Sequence, residues 1–121
     1  MTLPKRVSLG EKFEQITEHW SPKIVGALNG QHVKVATLLG EFCWHAHEHE
    51  DEMFLVVSGT LVIEFRDGEV SLGPGEFTIV PRGVEHRPVA REEVRVVLFE
   101  PEATLNTGDQ QNALTVDPDW L

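Results

Sequence analysis

Residues whose side chains bind metals are concentrated between positions 44 and 52, in the sequence WHAHEHEDE. On an extended strand, alternate side chains lie on the same face, so His45 and His47 would direct their rings to one point. Neutral imidazole is a good ligand for zinc, iron, copper and nickel, and a carboxylate commonly completes the set. The stretch therefore indicates a metal site, and the alternative is a solvated, histidine-rich loop.

The elements that must position these side chains are predicted to be short β-strands. Asn29-Gly30 is the strongest hairpin signal, because both central positions of such a turn need positive φ. Ser8 and Glu11 have capping-box spacing, which predicts a short helix over residues 11–16 in an N-terminal arm. Strands separated by Gly and Pro turns, without a long helical pattern, predict an all-β sandwich or barrel. The predicted strands are 23–28, 31–39, 41–47, 53–57, 61–65, 69–72, 77–80, 84–89 and 94–99.

Length and composition limit the classes of protein. With 121 residues, one domain is expected, with an N-terminal arm at 1–22, a barrel core at about 23–100 and a tail at 101–121. The tail would wrap the barrel or a partner, or lie loose. A net charge of −10 disfavours nucleic-acid and membrane partners. A single cysteine, Cys43, and no apparent signal peptide or membrane span lead us to expect a cytoplasmic protein.

Two spaced motifs resemble those of the cupin superfamily, whose small members fold as double-stranded β-helix barrels. The first is His45-x-His47, four residues, Glu52, six residues and Gly59; the second is Gly75, five residues, Pro81-x-Gly83, two residues and His86. The resemblance covers residues 33–99, and both motifs stand in the order usual for the family. Gly40 lies one residue nearer to His45 than the glycine that usually opens the first motif. Ala90 occupies the place of an asparagine in the second, and neither position holds metal in the family.

The resemblance implies one divalent metal ion, which could be Fe, Zn, Mn, Ni or Cu. Four ligands on strand ends would leave one or two coordination positions open, as a catalytic or ligand-binding site requires. The spacing to Gly59 favours Glu52 over the adjacent Asp51 as a ligand, and His49 is interpreted as exposed or as a support for the ligands. The implied ligands are His45, His47, Glu52 and His86.

Strand alternation also assigns neighbouring side chains to the two faces of the barrel wall. Cys43 would lie on the same face as His45, and Phe54 and Val56 would lie on the same face as Glu52. These neighbours of the ligands would line a cavity or simply pack in the core. The outward apolar set would be Phe42, Trp44, Met53 and Leu55, which suggests contact with a second sheet or subunit. Small cupins are commonly dimers, so a homodimer is expected.

Three classes of function remain open, because a fold does not determine chemistry. The favoured hypothesis is a non-haem metal enzyme that acts on a small organic substrate and whose site resembles the cupin dioxygenase site. The alternatives are a sugar-phosphate isomerase, as in the similar mannose-6-phosphate-isomerase-like cupins, and a non-catalytic module that binds a small molecule. Only Arg82, Arg87 and Arg95 could contact a substrate anion. The chain has no tyrosine, which argues against cupin chemistry that uses one.

Overall fold

The computed structural model describes residues 2–121, which form one short helix and eight strands. The helix is α1 (Leu9–Glu14), and the strands are β1 (Lys23–Leu28), β2 (Gln31–Glu41), β3 (Glu52–Ser58), β4 (Leu61–Phe65), β5 (Gly68–Leu72), β6 (Phe77–Val80), β7 (His86–Pro101) and β8 (Asp119–Trp120). The predicted all-β class with a short N-terminal helix is confirmed. Among residues 2–121, no helix has the length and apolar character that crossing a bilayer requires.

The long strand β7 connects the parts of the sheet. It pairs antiparallel with β2 along most of its length, with β4 beside its first residues and with β3 beside its last ones. The main path through the sheet is β5-β4-β7-β2-β1-β8, and β6 is added next to β3. Within the described residues, the two ends of this path, β5 and β8, do not pair with each other. The sheet is therefore jelly-roll-like and curled, as in a cupin, but over residues 2–121 it is not a closed barrel. The two predicted strands 84–89 and 94–99 are parts of the single strand β7, which begins at His86.

Local signals in the sequence account for the turns and the helix. Asn29 and Gly30 have φ values of 50° and 77°, as the predicted hairpin between β1 and β2 requires. The Ser8 side chain accepts a hydrogen bond of 3.2 Å from the Glu11 backbone N–H, which confirms the predicted helix cap. The helix begins two residues earlier than predicted, directly after this cap.

Two apolar clusters hold the sheet in its curled shape. The inner cluster receives alternate residues of the strands, including Phe54 and Val56 of β3. Both pack in the core, which is one of the two alternatives predicted for them, and Phe54 also lines the cavity described below. A second cluster lies outside, where Phe13 of α1 covers Val35 and Val97. Each buried side chain of this size contributes about 1.5–3 kcal/mol. The clusters therefore give the strand ends near the histidines a rigid base.

The C-terminal tail wraps the barrel. Thr104 and Thr107 are buried, and β8 pairs in parallel with β1. Gly108 has a φ of 55° and lies so close to the Ala46 carbonyl that a Cβ there would stand 2.3 Å from its oxygen. Asp109 adds two hydrogen bonds to Ala46: its N–H donates to the Ala46 carbonyl and its Oδ1 accepts from the Ala46 N–H. The tail thus fixes the residue that lies between His45 and His47.

Candidate metal centre

The four candidate ligands named from the sequence meet in the interior of the barrel. One ligand atom from each of them lies within 4.8 Å of the ligand atoms of the other three, and all four side chains are buried. Two come from the segment after β2, one opens β3 and one opens β7. The ring centroids of His45 and His86 are 4.3 Å apart, and those of His47 and His86 are 5.6 Å apart. The fold therefore brings residues 45 and 86 together from distant parts of the chain.

The predicted strand over residues 41–47 is wrong, because β2 ends at Glu41 and residues 42–51 are irregular except for one bridge. In that bridge the His45 N–H donates to the His86 carbonyl (3.1 Å), and the His86 N–H donates to the His45 carbonyl (2.9 Å). The Gly83 N–H donates to the His47 carbonyl (2.8 Å). Backbone bonds from the second motif, and not strand alternation alone, therefore hold the first pair of histidines.

Two of the imidazoles have a fixed orientation. Nδ1 of His45 lies 2.9 Å from the Cys43 carbonyl, and Nδ1 of His86 lies 2.9 Å from the Val84 carbonyl. A carbonyl only accepts, so each Nδ1 must carry the proton, and each neutral ring then has a bare Nε2. This is the arrangement in which a backbone acceptor orients a metal-binding imidazole.

Several polar atoms at the centre of the cluster lack a hydrogen-bond partner within the described residues. They are Nδ1 and Nε2 of His47, Nε2 of His86 and Oε1 of Glu52. Glu52 Oε1 is 3.2 Å from Nε2 of His47 and 3.5 Å from Nε2 of His86, but neither contact has the angles of a hydrogen bond. Buried polar atoms are rarely left unpaired. A cation among three imidazole nitrogens and one carboxylate oxygen would pair Nε2 of His47, Nε2 of His86 and Oε1 of Glu52, so the donor set fits a divalent metal ion.

The charge state of the cluster suits a cation as well. Burial raises the pKa of Glu52, but contacts with Glu100, His47 and His86 outweigh burial and hold this pKa well below its usual range. Burial lowers the pKa of His47, but the Glu52 carboxylate outweighs it and leaves the pKa raised. The carboxylate is therefore ionised, in an interior where an uncompensated negative charge is costly.

His45 makes the stability of the metal-free protein depend on pH. Burial, together with the nearby His86, lowers the pKa of His45 from 6.5 to about 4. Between these values the unfolded chain binds a proton that the folded chain excludes, so stability falls as the pH falls. The lowered pKa of Glu52 acts in the same direction, and the raised pKa of His47 opposes it. We expect the His45 contribution to reach about 3 kcal/mol at pH 4, measured by urea unfolding of the metal-free protein.

The control for this pH dependence is a pair of substitutions. His45→Gln should flatten the fall in unfolding free energy between pH 6.5 and pH 4, whereas His49→Gln, on an exposed side chain, should leave it unchanged. If the free energy of unfolding fell equally steeply with pH in wild type and in His45→Gln, the pH dependence could not be assigned to His45.

Other residues singled out in the sequence lie outside the cluster. Asp51 is exposed, and its Oδ1 accepts from the Arg82 N–H, so the preference for Glu52 is consistent with the structure. His49 is exposed, with 81% of its side chain accessible. Cys43 is half-buried and contributes only its carbonyl to the site, by holding His45. Phe42 was expected to face outward, but it is buried, because the chain leaves the strand after Glu41.

An apolar cavity adjoins the cluster. Its volume is about 30 Å³, which is room for one or two water-sized groups, and two candidate ligands, His45 and Glu52, form part of its wall. Phe42 stacks on Trp20 at 4.7 Å and meets the His45 ring edge-on at 5.4 Å. The rest of the lining is apolar apart from one amide: Pro22, Ala36, Leu38, Phe54, Pro88, Leu98 and Asn106. A group of that size in this cavity would contact both the cluster and a hydrophobic wall.

Sequence reasoning missed two charged residues next to the cluster. Lys34 and Glu100 are each only 1% exposed, and their charged groups are 2.8 Å apart. Burial, followed by the negative charge of Glu52, raises the pKa of Glu100 well above its usual range. The alternation of side chains along β2 could have indicated the burial of Lys34. Lys34 lies on the same face of the strand as the buried Ala36 and Leu38, so it occupies a core position.

Comparisons with known proteins identify the family of the chain. The family model Cupin_2, described as a cupin domain, matches residues 32–101. A cupin-2 domain containing protein from Shewanella frigidimarina NCIMB 400 is 41% identical, with a TM-score of 0.77 over 78% of this chain and 93% of that one. For protein NMB1881 from Neisseria meningitidis the identity is 31% and the TM-score 0.74, over 80% of this chain and 99% of that one.

A relative in Bacillus subtilis (strain 168), the uncharacterized protein YdbB, is 36% identical over 74 residues. The match covers 60% of this chain and 64% of YdbB, so the chain spans slightly less than two thirds of that relative. The match to the family model extends over more than half of the chain and includes all four candidate ligands. The chain therefore belongs to the Cupin_2 family of cupin domains.

Proposed function

We propose that this protein is a divalent-metal enzyme of the non-haem oxygenase type, acting on a small and largely apolar organic molecule with an enol or diol group. His45, His47, Glu52 and His86 would hold the metal. The observation that carries the proposal is the buried group of these four side chains, with an apolar cavity for one small substituent against two of them. When bound, the metal would supply open coordination positions for oxygen atoms of the substrate and, if it is iron, for dioxygen.

The residues of the chain would contribute orientation and exclusion of water. The Cys43 and Val84 carbonyls fix the rings of His45 and His86. Phe42 and Trp20 would contact the hydrocarbon part of the substrate and keep the polar cluster away from bulk water. At about 30 Å³ the cavity would take one small apolar group of the substrate, and the rest of the substrate would lie outside it.

The surroundings of the cavity favour this chemistry over the isomerisation of a sugar phosphate. No lysine or arginine lines the cavity within the described residues. Arg87 is held by Glu64 at 2.7 Å and Glu41 at 3.3 Å. Arg95 is paired with Glu14 at 3.2 Å, and Arg82 lies on the surface beside Asp51. A phosphate group would therefore have no free basic partner at the cavity.

Oxygen uptake tests the proposed chemistry. The metal-free protein is loaded anaerobically with Fe²⁺, mixed with a panel of catechols, enols and β-diketones, and followed with an oxygen electrode. We expect uptake that requires both iron and one class of substrate, with zinc-loaded protein as the inactive control. A compound that binds the iron-loaded protein tightly without uptake would indicate the non-catalytic binding module instead. Chelator-sensitive conversion of a sugar phosphate would indicate the isomerase.

We also propose that the protein is a homodimer. Phe77 and Ile79 of β6 are 57% and 55% exposed, and β6 pairs only with β3 among the described strands. A second copy could cover this apolar edge across a two-fold axis. Sedimentation velocity should give twice the mass of the chain, and Ile79→Glu should weaken the dimer at least about 10-fold. Val70→Glu, at an exposed valine on β5, is the control, and a wild-type monomer would contradict the proposal.

A further inference from the structure

A second buried polar group lies beside Glu52 in the barrel interior. It consists of Lys34 on β2 and Glu100 on β7, whose Nζ and Oε1 atoms are 2.8 Å apart. Lys34 Nζ also donates to the Thr104 carbonyl at 3.3 Å. The other oxygen of Glu100, Oε2, is buried and has no hydrogen-bond partner within the described residues. The pair is thus anchored on one side only.

The strand register explains how this pair meets the candidate metal centre. β7 lies between β2 and β3, so Glu100 has Lys34 on one side and β3 on the other. Met53 of β3 pairs with Phe99, which makes Glu52 and Glu100 neighbours at the end of that ladder. Both side chains are buried, and the negative charge of Glu52 adds to burial in raising the pKa of Glu100, as expected for carboxyl groups at neighbouring interior positions. The result is a continuous row from Lys34 through Glu100 to Glu52.

The stability of the fold does not by itself explain this row. Moving a lysine and a glutamate out of water is costly, and a buried pair is often no more stabilising than apolar side chains of similar size. The neighbouring interior positions on the same strands, Ala36 and Leu98, are apolar. Charged residues in this place therefore call for a role in the site that they adjoin.

We propose that Lys34 and Glu100 are positioning residues of the metal centre. Lys34 holds Glu100 in place, and the held pair packs beside Glu52 and limits the positions that its carboxylate can take, so that the pair raises the affinity of the centre for a divalent cation. The inference rests on the metal centre of the proposed function and not on the oxygenase chemistry proposed for it. Partners of metal ligands that act in this way typically change metal affinity by 10–100-fold.

The role of Lys34 separates positioning from simple charge effects. If its positive charge acted only through space, it would repel a nearby cation, and Lys34→Met would tighten metal binding. If it acts by holding Glu100, the same substitution frees the Glu100 and Glu52 carboxylates to move and weakens binding. The two mechanisms thus predict opposite signs for one variant.

Cobalt titration is the experiment. Co²⁺ is added to metal-free wild type, Lys34→Met, Glu100→Leu and the double variant, and both the dissociation constant and the visible absorption spectrum are recorded. We expect each single variant to bind Co²⁺ about 10–100-fold more weakly with a shifted spectrum. The double variant should be little worse than either single variant, because both substitutions break the same row. Lys23→Met, which removes a lysine 3.9 Å from Asp119 on the far edge, is the control.

Urea unfolding of each metal-free variant separates stability from metal binding. Glu100→Leu, which removes the carboxyl group at a similar side-chain size, serves as the test if Lys34→Met does not fold. Folded variants with wild-type affinity and spectrum would overturn the inference and leave the pair a structural one. Tighter binding by Lys34→Met would also overturn it, in favour of charge alone. If wild type bound no Co²⁺, the metal centre itself would fail, and this inference with it.

Discussion

Replacing His86 with alanine is expected to weaken divalent-metal binding at least about 100-fold, more than the loss of a residue that only supports a ligand. His86 contributes an unpartnered, buried Nε2 atom, and its ring is the one donor that the second motif brings to the cluster. Its backbone also forms both bridge hydrogen bonds with His45, and the substitution leaves those in place. The measurement is metal content after dialysis, together with a competition titration against a chelator.

His49→Ala is the matched control for His86→Ala. It removes the same kind of side chain close to the cluster in sequence, but from an exposed position. Its metal content should equal that of wild type. Equal stoichiometry in wild type and His86→Ala would instead remove His86 from the site.

Gly108→Ala is expected to lower the free energy of unfolding by about 3 kcal/mol or more and to weaken metal binding. An alanine at the φ of 55° costs about 1–2 kcal/mol by itself. Its Cβ would also stand 2.3 Å from the Ala46 carbonyl oxygen, so either the tail or the segment between His45 and His47 must move. That movement would break the hydrogen bonds between Asp109 and Ala46, each worth about 1 kcal/mol. Urea unfolding and cobalt titration measure the two effects.

Gly30→Ala separates the backbone cost from the collision. Gly30 also has a positive φ, of 77°, but a Cβ there would meet no atom within 4 Å, and the residue lies in the β1–β2 hairpin. The free energy of unfolding of Gly30→Ala should therefore fall only by the cost of the positive φ, and this variant should bind metal like wild type. Equal losses of stability in the two variants would show that the tail does not press on the segment between the histidines.

The parts of the fold that follow local rules could be predicted from the sequence. β1 and β4 have the predicted bounds, because each is an apolar run ended by a strong turn signal. The Asn29-Gly30 hairpin follows from its need for positive φ. The grouping of the candidate ligands followed from the spacing of two motifs and the family they resemble, and the structure brings these four side chains together.

Features that depend on distant contacts could not be predicted in the same way. Strand alternation placed Phe42 outside, but the chain leaves β2 after Glu41 and Phe42 packs against Trp20. Trp20 precedes β1 and has an unusual φ of 58°, which no local pattern indicated. The contact of Gly108 with Ala46 joins residues 62 positions apart and leaves no periodic signal.

The charged pair of Lys34 and Glu100 belongs to an intermediate class. Each residue is charged but stands at an inward position of a strand whose other inward residues are apolar. The burial of each one could therefore have been predicted from the sequence. What the sequence did not carry was their partnership, because it depends on β7 lying between β2 and β3.

Anomalous diffraction from a crystal of the cobalt-loaded protein, recorded at the cobalt edge, tests the metal centre most directly. The account predicts one strong peak in the barrel interior, about 2.0–2.2 Å from an Nε2 atom of each of His45, His47 and His86 and from a carboxylate oxygen of Glu52. A map with no peak among these four side chains, or with cobalt bound only at the exposed His49 and its acidic neighbours, would contradict it.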